Sequence, residues 1–382
     1  MVPSGWKLST IEEIANVSSG GTPSRKNDTY WNGNIPWVTT AEVQFKVIKD
    51  TSEKITEEGL ANSSAKLFPV DTILMAMYGQ GKTRGQVAKL GIEASTNQAC
   101  AAIVLHTDYE VDYYYQFLVS QYENIREMAN SGGQENLSGG IVKSIQVPVP
   151  PLPEQKKIAQ ILSTWDKAIT TTEQLLANSQ QQKKALMQQL LTGKKRLLDK
   201  NGVRFSGEWK NKQLSEVANV YQPKTISQSM LTDTGYPVYG ANGIIGFYGE
   251  FNHENEQIAV TCRGSTCGVV NWTQAKSWIT GNAMVINTDN TPSVSKRFLF
   301  YVLDGSNLSY LISGSGQPQI TGNIKTHIIN IPVLKEQQRI ATVLSTADQE
   351  ITALQQKPHA LKQEKKALMQ QLLTGKRRVK IQ

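Results

Sequence analysis

The residues in this sequence that are best suited to chemistry are polar side chains set among glycines, and their chemistry suits contact with nucleic acid. Arg, Gln and Asn can form paired hydrogen bonds with purine edges, Lys neutralises phosphate, and glycine lets the backbone approach a surface closely. Such segments lie at 24–37, 79–86, 132–140, 239–243, 262–268 and 314–319, and the corresponding β-rich segments 95–104 and 280–286 supply Asn97 and Asn282. Asn, Gln and Gly are also ordinary turn residues, so the prediction concerns the loops as sets. The predicted DNA contacts are Lys26, Tyr30, Trp31, Gln80, Lys82, Arg84, Asn97, Gln134, Asn136, Tyr239, Asn242, Arg263, Ser265, Asn282, Gln317 and Gln319.

Catalytic and metal-binding motifs are nearly absent. The segment YGQGKT at 78–83 is similar to a phosphate-binding loop, but Ala76 stands where that motif needs its first glycine. The four histidines are scattered, and Cys262 and Cys267 have no second Cys or His pair at a metal-binding spacing. The sequence therefore indicates a binding protein with no catalytic and no metal site, and it disfavours a single-chain enzyme.

The composition is that of a globular protein with more than one domain. Among 382 residues, 39% are apolar and 19% are charged, without the bias typical of disorder. No apolar run approaches the roughly 18 residues that a membrane helix needs, and MVPSGWKLST does not resemble a secretory signal. With three cysteines that need not form disulfides, we expect a cytoplasmic protein.

The net charge of +8 is concentrated in two stretches. Residues 151–200 carry +5 and residues 333–382 carry +6, whereas residues 1–150 carry −4 and residues 201–332 carry +1. A basic helix is often only a solvated face, but two of them equally suggest a polyanion or an acidic partner.

The two basic stretches are copies of one another. KKALMQQLLTGK occurs at 183–194 and again at 365–376, and 154–197 aligns with 336–379 without gaps, with 25 identities in 44 positions. Apolar residues recur at spacings of three and four, which predicts two long amphipathic helices of roughly 66 Å that pack against each other. The residues predicted to join these helices or to bind partners are Ile158, Leu162, Ile169, Leu186, Leu190, Ile340, Leu344, Ile351, Leu368 and Leu372.

Features at specific positions refine this prediction. Gly193 and Gly375 fit the C-terminal caps of the two helices. Pro358 predicts a kink or break near 355–358 in the second helix. We expect the lysines of the repeat to face a partner or the DNA backbone.

The regions between the helices repeat more weakly. WK…EIANV near Trp6 matches WK…EVANV near Trp209, and 71–81 corresponds to 256–265. Short β-rich runs at 35–39, 72–78 and 99–105 alternate with Gly/Asn/Ser turns, and helices are expected at 111–129 and 294–312. The predicted fold class is α+β: two globular mixed α/β domains at 1–150 and 198–332, joined by two long helices at 151–197 and 333–382 that form a coiled coil, in a pseudo-twofold internal repeat.

Over essentially its whole length the chain resembles the specificity subunits of type I restriction–modification systems. The residues that carry the resemblance are PLPEQKKIAQILSTWD followed by KKALMQQLLTGKKR, the second copy at 336–378, GGTPSRKNDTYWNGNIPWVT near the start, and RFSGEWK at 204–210. Pro358 departs from the pattern and puts the straightness of the second helix in doubt.

The resemblance implies a non-catalytic subunit that recognises double-stranded DNA. Each globular domain would be a target-recognition domain for one half of a bipartite sequence. The two helices would pack antiparallel, set the half-site spacing and bind two modification (methyltransferase) subunits. S-adenosylmethionine would belong to the modification subunits, which methylate adenine, and ATP and Mg to added restriction/translocase subunits. No membrane partner is expected.

A second function remains open on the residues alone. A coiled-coil assembly protein whose globular units bind protein or sugar would need the same helices. Salt-dependent DNA binding would separate the two hypotheses, because phosphate contacts release counterions.

Overall fold

The computed structural model describes residues 2–79, 82–130, 136–241, 243–314 and 316–381. It divides into two compact units: unit 1 comprises Met1–Glu173 and Gln356–Gln382, and unit 2 comprises Gln174–Gln355. Each unit therefore contains one globular domain together with parts of both long helices. The domain boundaries predicted at 150, 197 and 332 stay predictions.

The described residues of unit 1 form three sheets. Their strands are β1 (Lys7–Thr10), β2 (Ala15–Ser19), β3 (Trp31–Val38), β4 (Val47–Ile48), β5 (Glu53–Ile55), β6 (Leu67–Phe68), β7 (Ile73–Ala76), β8 (Val87–Leu90), β9 (Ala94–Thr96), β10 (Cys100–Leu105) and β11 (Gln146–Val149). A five-stranded sheet has the order β2-β10-β7-β8-β4, a four-stranded sheet has the order β5-β3-β9-β6, and β1 pairs with β11. Most pairs are antiparallel, but β3–β9 and β4–β8 are parallel, so the sheets are mixed.

The helices of unit 1 cover one face of the five-stranded sheet. Successive residues of a strand point to opposite faces of the sheet. Ile73 and Met75 of β7 therefore lie in the core shared with the helices, whereas Leu74 and Ala76 lie in a separate core. The expected helix at 111–129 is present as two helices, interrupted at Gln121. The helices are α1 (Ile11–Ile14), α2 (Glu57–Ala61), α3 (Val111–Ser120), α4 (Tyr122–Asn130) and α5 (Gly139–Ser144), with α6 (Leu152–Leu190) entering from this unit.

Unit 2 repeats this plan with smaller sheets. Its elements are β12 (Lys210–Gln213), α7 (Leu214–Val217), β13 (Asn219–Tyr221), β14 (Tyr236–Gly240), β15 (Gly243–Tyr248), β16 (Ile258–Thr261), β17 (Val270–Trp272), β18 (Trp278–Ile279), β19 (Ala283–Asn287), α8 (Lys296–Asp304) and β20 (Ile328–Ile331), with α9 (Leu334–Leu372) starting here. The strand orders are β13-β19-β16-β17, β15-β14-β18 and β12-β20, with β14–β18 parallel. The helix expected at 294–312 is shorter than predicted, because Gly305 ends it.

The two long helices are shorter than the repeated sequence. α6 and α9 each contain 39 residues, about 58 Å at 1.5 Å per residue, rather than the roughly 66 Å expected. Gly193 and Gly375 adopt φ of 70° and 71°, so both act as the expected C-terminal caps and the chain turns there. Each helix starts two residues before the repeat and ends at Leu190 or Leu372, so the last seven residues of each repeat lie outside it.

The break expected near Pro358 is wrong. α9 continues from Leu334 to Leu372 with Pro358 inside it, and this proline is buried. Proline removes one backbone donor and crowds the preceding turn, but burial of its ring offsets part of that cost.

Candidate nucleic-acid interface

The glycine-rich loops of unit 2 meet at one end of its four-stranded sheet. The Gly264 N–H donates to the Pro318 carbonyl at 3.0 Å, and the Ile320 N–H donates to the Cys262 carbonyl at 3.0 Å. The Thr261 hydroxyl donates to the Ala241 carbonyl at 2.8 Å. These bonds bring the loops at 239–243, 262–268 and 314–319 into a single surface.

Most predicted contacts in unit 2 are accessible on this surface. Asn282 is half-buried, and its carbonyl accepts from the Cys262 N–H at 3.0 Å, which places it beside the same loops. Asn242 lies outside the described residues. The exposed members are Arg263, Ser265, Gln317 and Gln319.

The structure does not support Tyr239 as a DNA contact. Its side chain is 7% exposed and packs in a small core with Ile279 and Val285. Its hydroxyl accepts a hydrogen bond from the Gln274 N–H at 3.1 Å. The ring therefore holds the sheet together, a role that its position in a YGANG turn did not reveal.

Unit 1 has a similar meeting of loops. The Met77 N–H donates to the Ala99 carbonyl at 2.8 Å, and the Leu137 N–H donates to the Met77 carbonyl at 3.0 Å. These bonds join the end of β7 to the segments around Asn97 and Asn136. Asn136 and Lys82 are exposed, whereas Asn97 is half-buried, and its side chain accepts from the Ala99 N–H. Gln80 and Gln134 lie outside the described residues.

Arg84 belongs to the loop that follows β7. Arg84 is half-buried. The adjacent Gly85 has a φ of 84°, and the Gly85 N–H donates to the Ala76 carbonyl at 2.9 Å. A side chain on Gly85 would lie 3.0 Å from Arg126 of α4, so glycine lets the loop pack against that helix. Arg84 is thus held close to the protein surface.

The turn at 24–37 forms a separate patch. The Arg25 guanidinium lies 3.7 Å from the centre of the Trp31 ring and pairs with Glu53 of β5. This pairing raises the pKa of Arg25 and lowers that of Glu53. The Trp31 N–H donates to the Ser24 carbonyl at 3.1 Å. One ring face and the N–H of Trp31 are therefore already occupied, while Lys26 is exposed and Tyr30 is half-buried.

Matching ion pairs join the ends of the long helices within each unit. In unit 1, Arg378 pairs with Glu154; in unit 2, Arg196 pairs with Glu336, its Nε donating to Oε1 at 2.6 Å. The two glutamate side chains are 5% and 0% exposed. The Glu336 carboxylate raises the pKa of Arg196 through this hydrogen bond.

The expectation that the lysines of the repeat face a partner or DNA is wrong for the first lysine of each copy. Lys183 pairs with Asp348 in unit 2, and Lys365 pairs with Asp166 in unit 1 at 2.6 Å. Their side chains are only 18% and 11% exposed. Together with the arginine–glutamate pairs, these contacts show that the helix segments run antiparallel inside each unit.

The apolar residues of the helices pack as the periodicity indicated. Leu190 is 0% exposed and shares a core with Ile340 and Leu344 in unit 2. Leu372 is 3% exposed and shares a core with Ile158 and Leu162 in unit 1. Leu186 and Leu368 pack against the same respective cores, and Ile169 and Ile351 are buried.

No metal site is evident among the residues that the structure describes, since they contain no group of three or more His, Cys, Asp or Glu that could hold an ion. Burial raises the pKa of Cys100 to about 12, which makes its thiol a poor nucleophile. Within the same described ranges, no helix is long and apolar enough to cross a membrane.

Tyr78 was missed by the sequence reasoning. This residue lies two positions after the end of β7 and is 43% exposed, beside the loops that carry Lys82 and Asn136. The alignment of 71–81 with 256–265 places it opposite Arg263 and could have identified it.

Comparisons with protein families and with individual proteins give the same family for this chain. Residues 3–178 and 206–363 match the family described as the type I restriction modification DNA specificity domain. The specificity subunit of the type I restriction enzyme EcoprrI from Escherichia coli is 26% identical over 355 residues, covering 88% of this chain and 86% of that protein. The MjaVIII specificity subunit from Methanocaldococcus jannaschii is 24% identical, covering 99% and 94%.

A solved structure shares the fold. The S subunit of a type I restriction–modification system from M. genitalium superposes with a TM-score of 0.64 at 16% identity, covering 97% of this chain and 96% of that chain.

Proposed function

The chain belongs to the type I restriction–modification DNA specificity family, and from this premise we propose that each of its globular domains reads one half of a bipartite DNA sequence. The protein is the sequence-specificity subunit of such a system and is itself non-catalytic. The remaining proposals concern how it reads DNA and what it assembles with.

The observation that supports two-part recognition is the repetition of one loop arrangement in two domains with different side chains. Both domains join three segments at the end of a central sheet through the same backbone hydrogen bonds. The side chains displayed there differ, with Lys82 and Asn136 in unit 1 and Arg263, Gln317 and Gln319 in unit 2. Because base identity is read by side chains at groove edges, the two half-sites should differ in sequence.

We also propose that α6 and α9 form a coiled coil that sets the spacing between half-sites and binds two modification subunits. Exposed basic residues outside the internal ion pairs, including Lys184 and Lys366, suit an acidic partner surface. S-adenosylmethionine would then be held by the modification subunits, and ATP and Mg by restriction/translocase subunits. These groups are not assigned to residues of this chain.

Methylation mapping tests the proposal directly. Deleting the gene for this chain should remove one bipartite adenine-methylated motif from the host genome, and re-expression of the wild-type chain should restore it. Persistence of every bipartite motif after deletion would refute the function.

Exchange of one domain gives a sharper test. Replacing residues 20–140 by the corresponding segment of another specificity subunit should change one half of the motif and leave the other half intact. The matched exchange of residues 222–325 should change only the other half. A change in both halves from either exchange would contradict independent reading.

The alternative of a coiled-coil assembly protein with a non-nucleic-acid ligand has no support from the family match. It would regain ground only if the assembled complex showed no salt-dependent DNA binding, since contacts to phosphate weaken steeply with rising salt.

A further inference from the structure

We propose that Tyr78 and Arg263 occupy one equivalent position in the two domains and that each determines the identity of a single base pair in its half-site. This inference rests on the proposed function, because it needs both domains to read DNA.

The equivalence is defined by the backbone. Met77 follows β7, and Cys262 follows β16. The Met77 N–H donates to the Ala99 carbonyl at 2.8 Å, and the Cys262 N–H donates to the Asn282 carbonyl at 3.0 Å; each acceptor residue immediately precedes the neighbouring strand. Each carbonyl accepts from a loop N–H at 3.0 Å, Leu137 in unit 1 and Ile320 in unit 2. The next residue is therefore held at the same place in both domains.

The side chains at this place point outward. Met77 is 4% and Cys262 is 1% exposed, and each still lies in a core of its domain, so the chain leaves the core only at the residue that follows. Tyr78 is 43% exposed, and Arg263 is also exposed. Gly79 and Gly264 come next with φ of 138° and 81°, which turn the chain away and leave the preceding side chain at the edge of the surface.

Arg263 is the only one of these two residues that suits guanine. Its guanidinium can donate two parallel hydrogen bonds to guanine N7 and O6 in the major groove. Within the part of the chain that the structure describes, no ion pair holds the Arg263 guanidinium, unlike those of Arg25, Arg196 and Arg378. Its backbone also pairs with exposed Gln319, which places a second base-reading side chain beside it.

Tyr78 offers different chemistry at the same place. A planar ring gives apolar contact to the thymine methyl group, which marks an A·T pair in the major groove. The phenol has no second donor and cannot form the paired bonds that guanine accepts. The equivalent position should therefore read G in the half-site of unit 2 and an A·T pair in the half-site of unit 1.

The test uses the full chain assembled with its modification subunits, with competition between duplexes that differ at one base pair. Arg263→Lys keeps the charge but loses the paired geometry, so preference for G at one position of the unit 2 half-site should fall by about 5- to 150-fold. Tyr78→Ala should relax one A·T position in the other half-site, whereas Tyr78→Phe should preserve it.

Matched controls separate specificity from general loss of binding. Arg204→Lys and Tyr310→Ala change the same residue types at exposed positions outside these two loops and should leave both halves of the motif unchanged. Competition ratios remain measurable even where a variant binds more weakly overall.

The outcomes are distinguishable. A wild-type complex that methylates a bipartite motif, with both halves unchanged by Arg263→Lys and Tyr78→Ala, overturns this inference and leaves the proposed function standing. A wild-type complex with no bipartite motif refutes both.

Discussion

Replacing Arg196 by alanine should destabilise unit 2 by about 3 kcal/mol. Arg196 donates from Nε and Nη2 to the two carboxylate oxygens of Glu336 at 2.6 and 2.7 Å, and the glutamate side chain is 0% exposed. Removing one partner of a buried ion pair costs about 3–5 kcal/mol because the other charge is left uncompensated. The Arg196 side chain is 20% exposed, so solvent screens part of this interaction and the lower end of the range applies.

A double variant separates loss of the pair from loss of packing. In Arg196→Met combined with Glu336→Leu both charges are gone, so most of the stability should return. Lys200→Ala, at an exposed position a few residues away, should change stability by less than about 0.5 kcal/mol.

Hydrogen–deuterium exchange in a urea series is the appropriate assay, because a chain with two compact units need not unfold in one step. Peptides from 196–210 and 295–345 should lose about 3 kcal/mol of opening free energy in Arg196→Ala, while peptides of unit 1 stay unchanged. The reasoning is refuted if Arg196→Ala matches the wild type, or if the double variant is as unstable as the single one.

Three further changes have defined outcomes. Leu190→Asp puts a charge at a side chain that is 0% exposed and should cost about 4 kcal/mol or more, lowering the melting temperature and preventing complex assembly on gel filtration; unchanged assembly would contradict its packing role. Gly375→Ala should destabilise the protein more than Gly193→Ala in urea titrations. Both glycines have positive φ, but a side chain on Gly375 would lie 2.4 Å from Pro3. Equal unfolding midpoints for the two variants would argue against that contact. Burial lowers the pKa of His327 below 6.5, so the stability that neutral His327 contributes is complete above about pH 6.5 and is lost as the pH falls. His327→Gln should therefore flatten the acid side of a plot of melting temperature against pH. An unchanged slope would exclude His327 as the source of this pH dependence.

The long helices and their apolar faces could be predicted because their pattern is local. Residues such as Leu190 and Leu372 recur at helical spacing with their neighbours, and the glycine caps stand next to the helices they end. The predicted helices were too long because repeated sequence continues past Gly193 and Gly375, and repetition by itself carries no information on backbone angle.

The errors arose where the partner is distant in sequence. Lys365 binds Asp166, which is 199 residues away, and Tyr239 is buried by strands that follow it. Pro358 lies buried inside a continuous helix, although the local effect of proline is to weaken one, and burial depends on residues that the local pattern does not include. Tyr78 has an ordinary residue type, and only its backbone equivalence with Arg263 makes it notable.

The composition of the two units has a consequence for biosynthesis. Unit 2 is continuous along the chain, from 174 to 355, so a ribosome can release it as a complete folding unit. Unit 1 needs residues 356–382, which supply Lys365, Leu372 and Arg378 to its core and ion pairs. The domain that is translated first is therefore the last to be completed, and until then its buried Glu154 has no arginine partner.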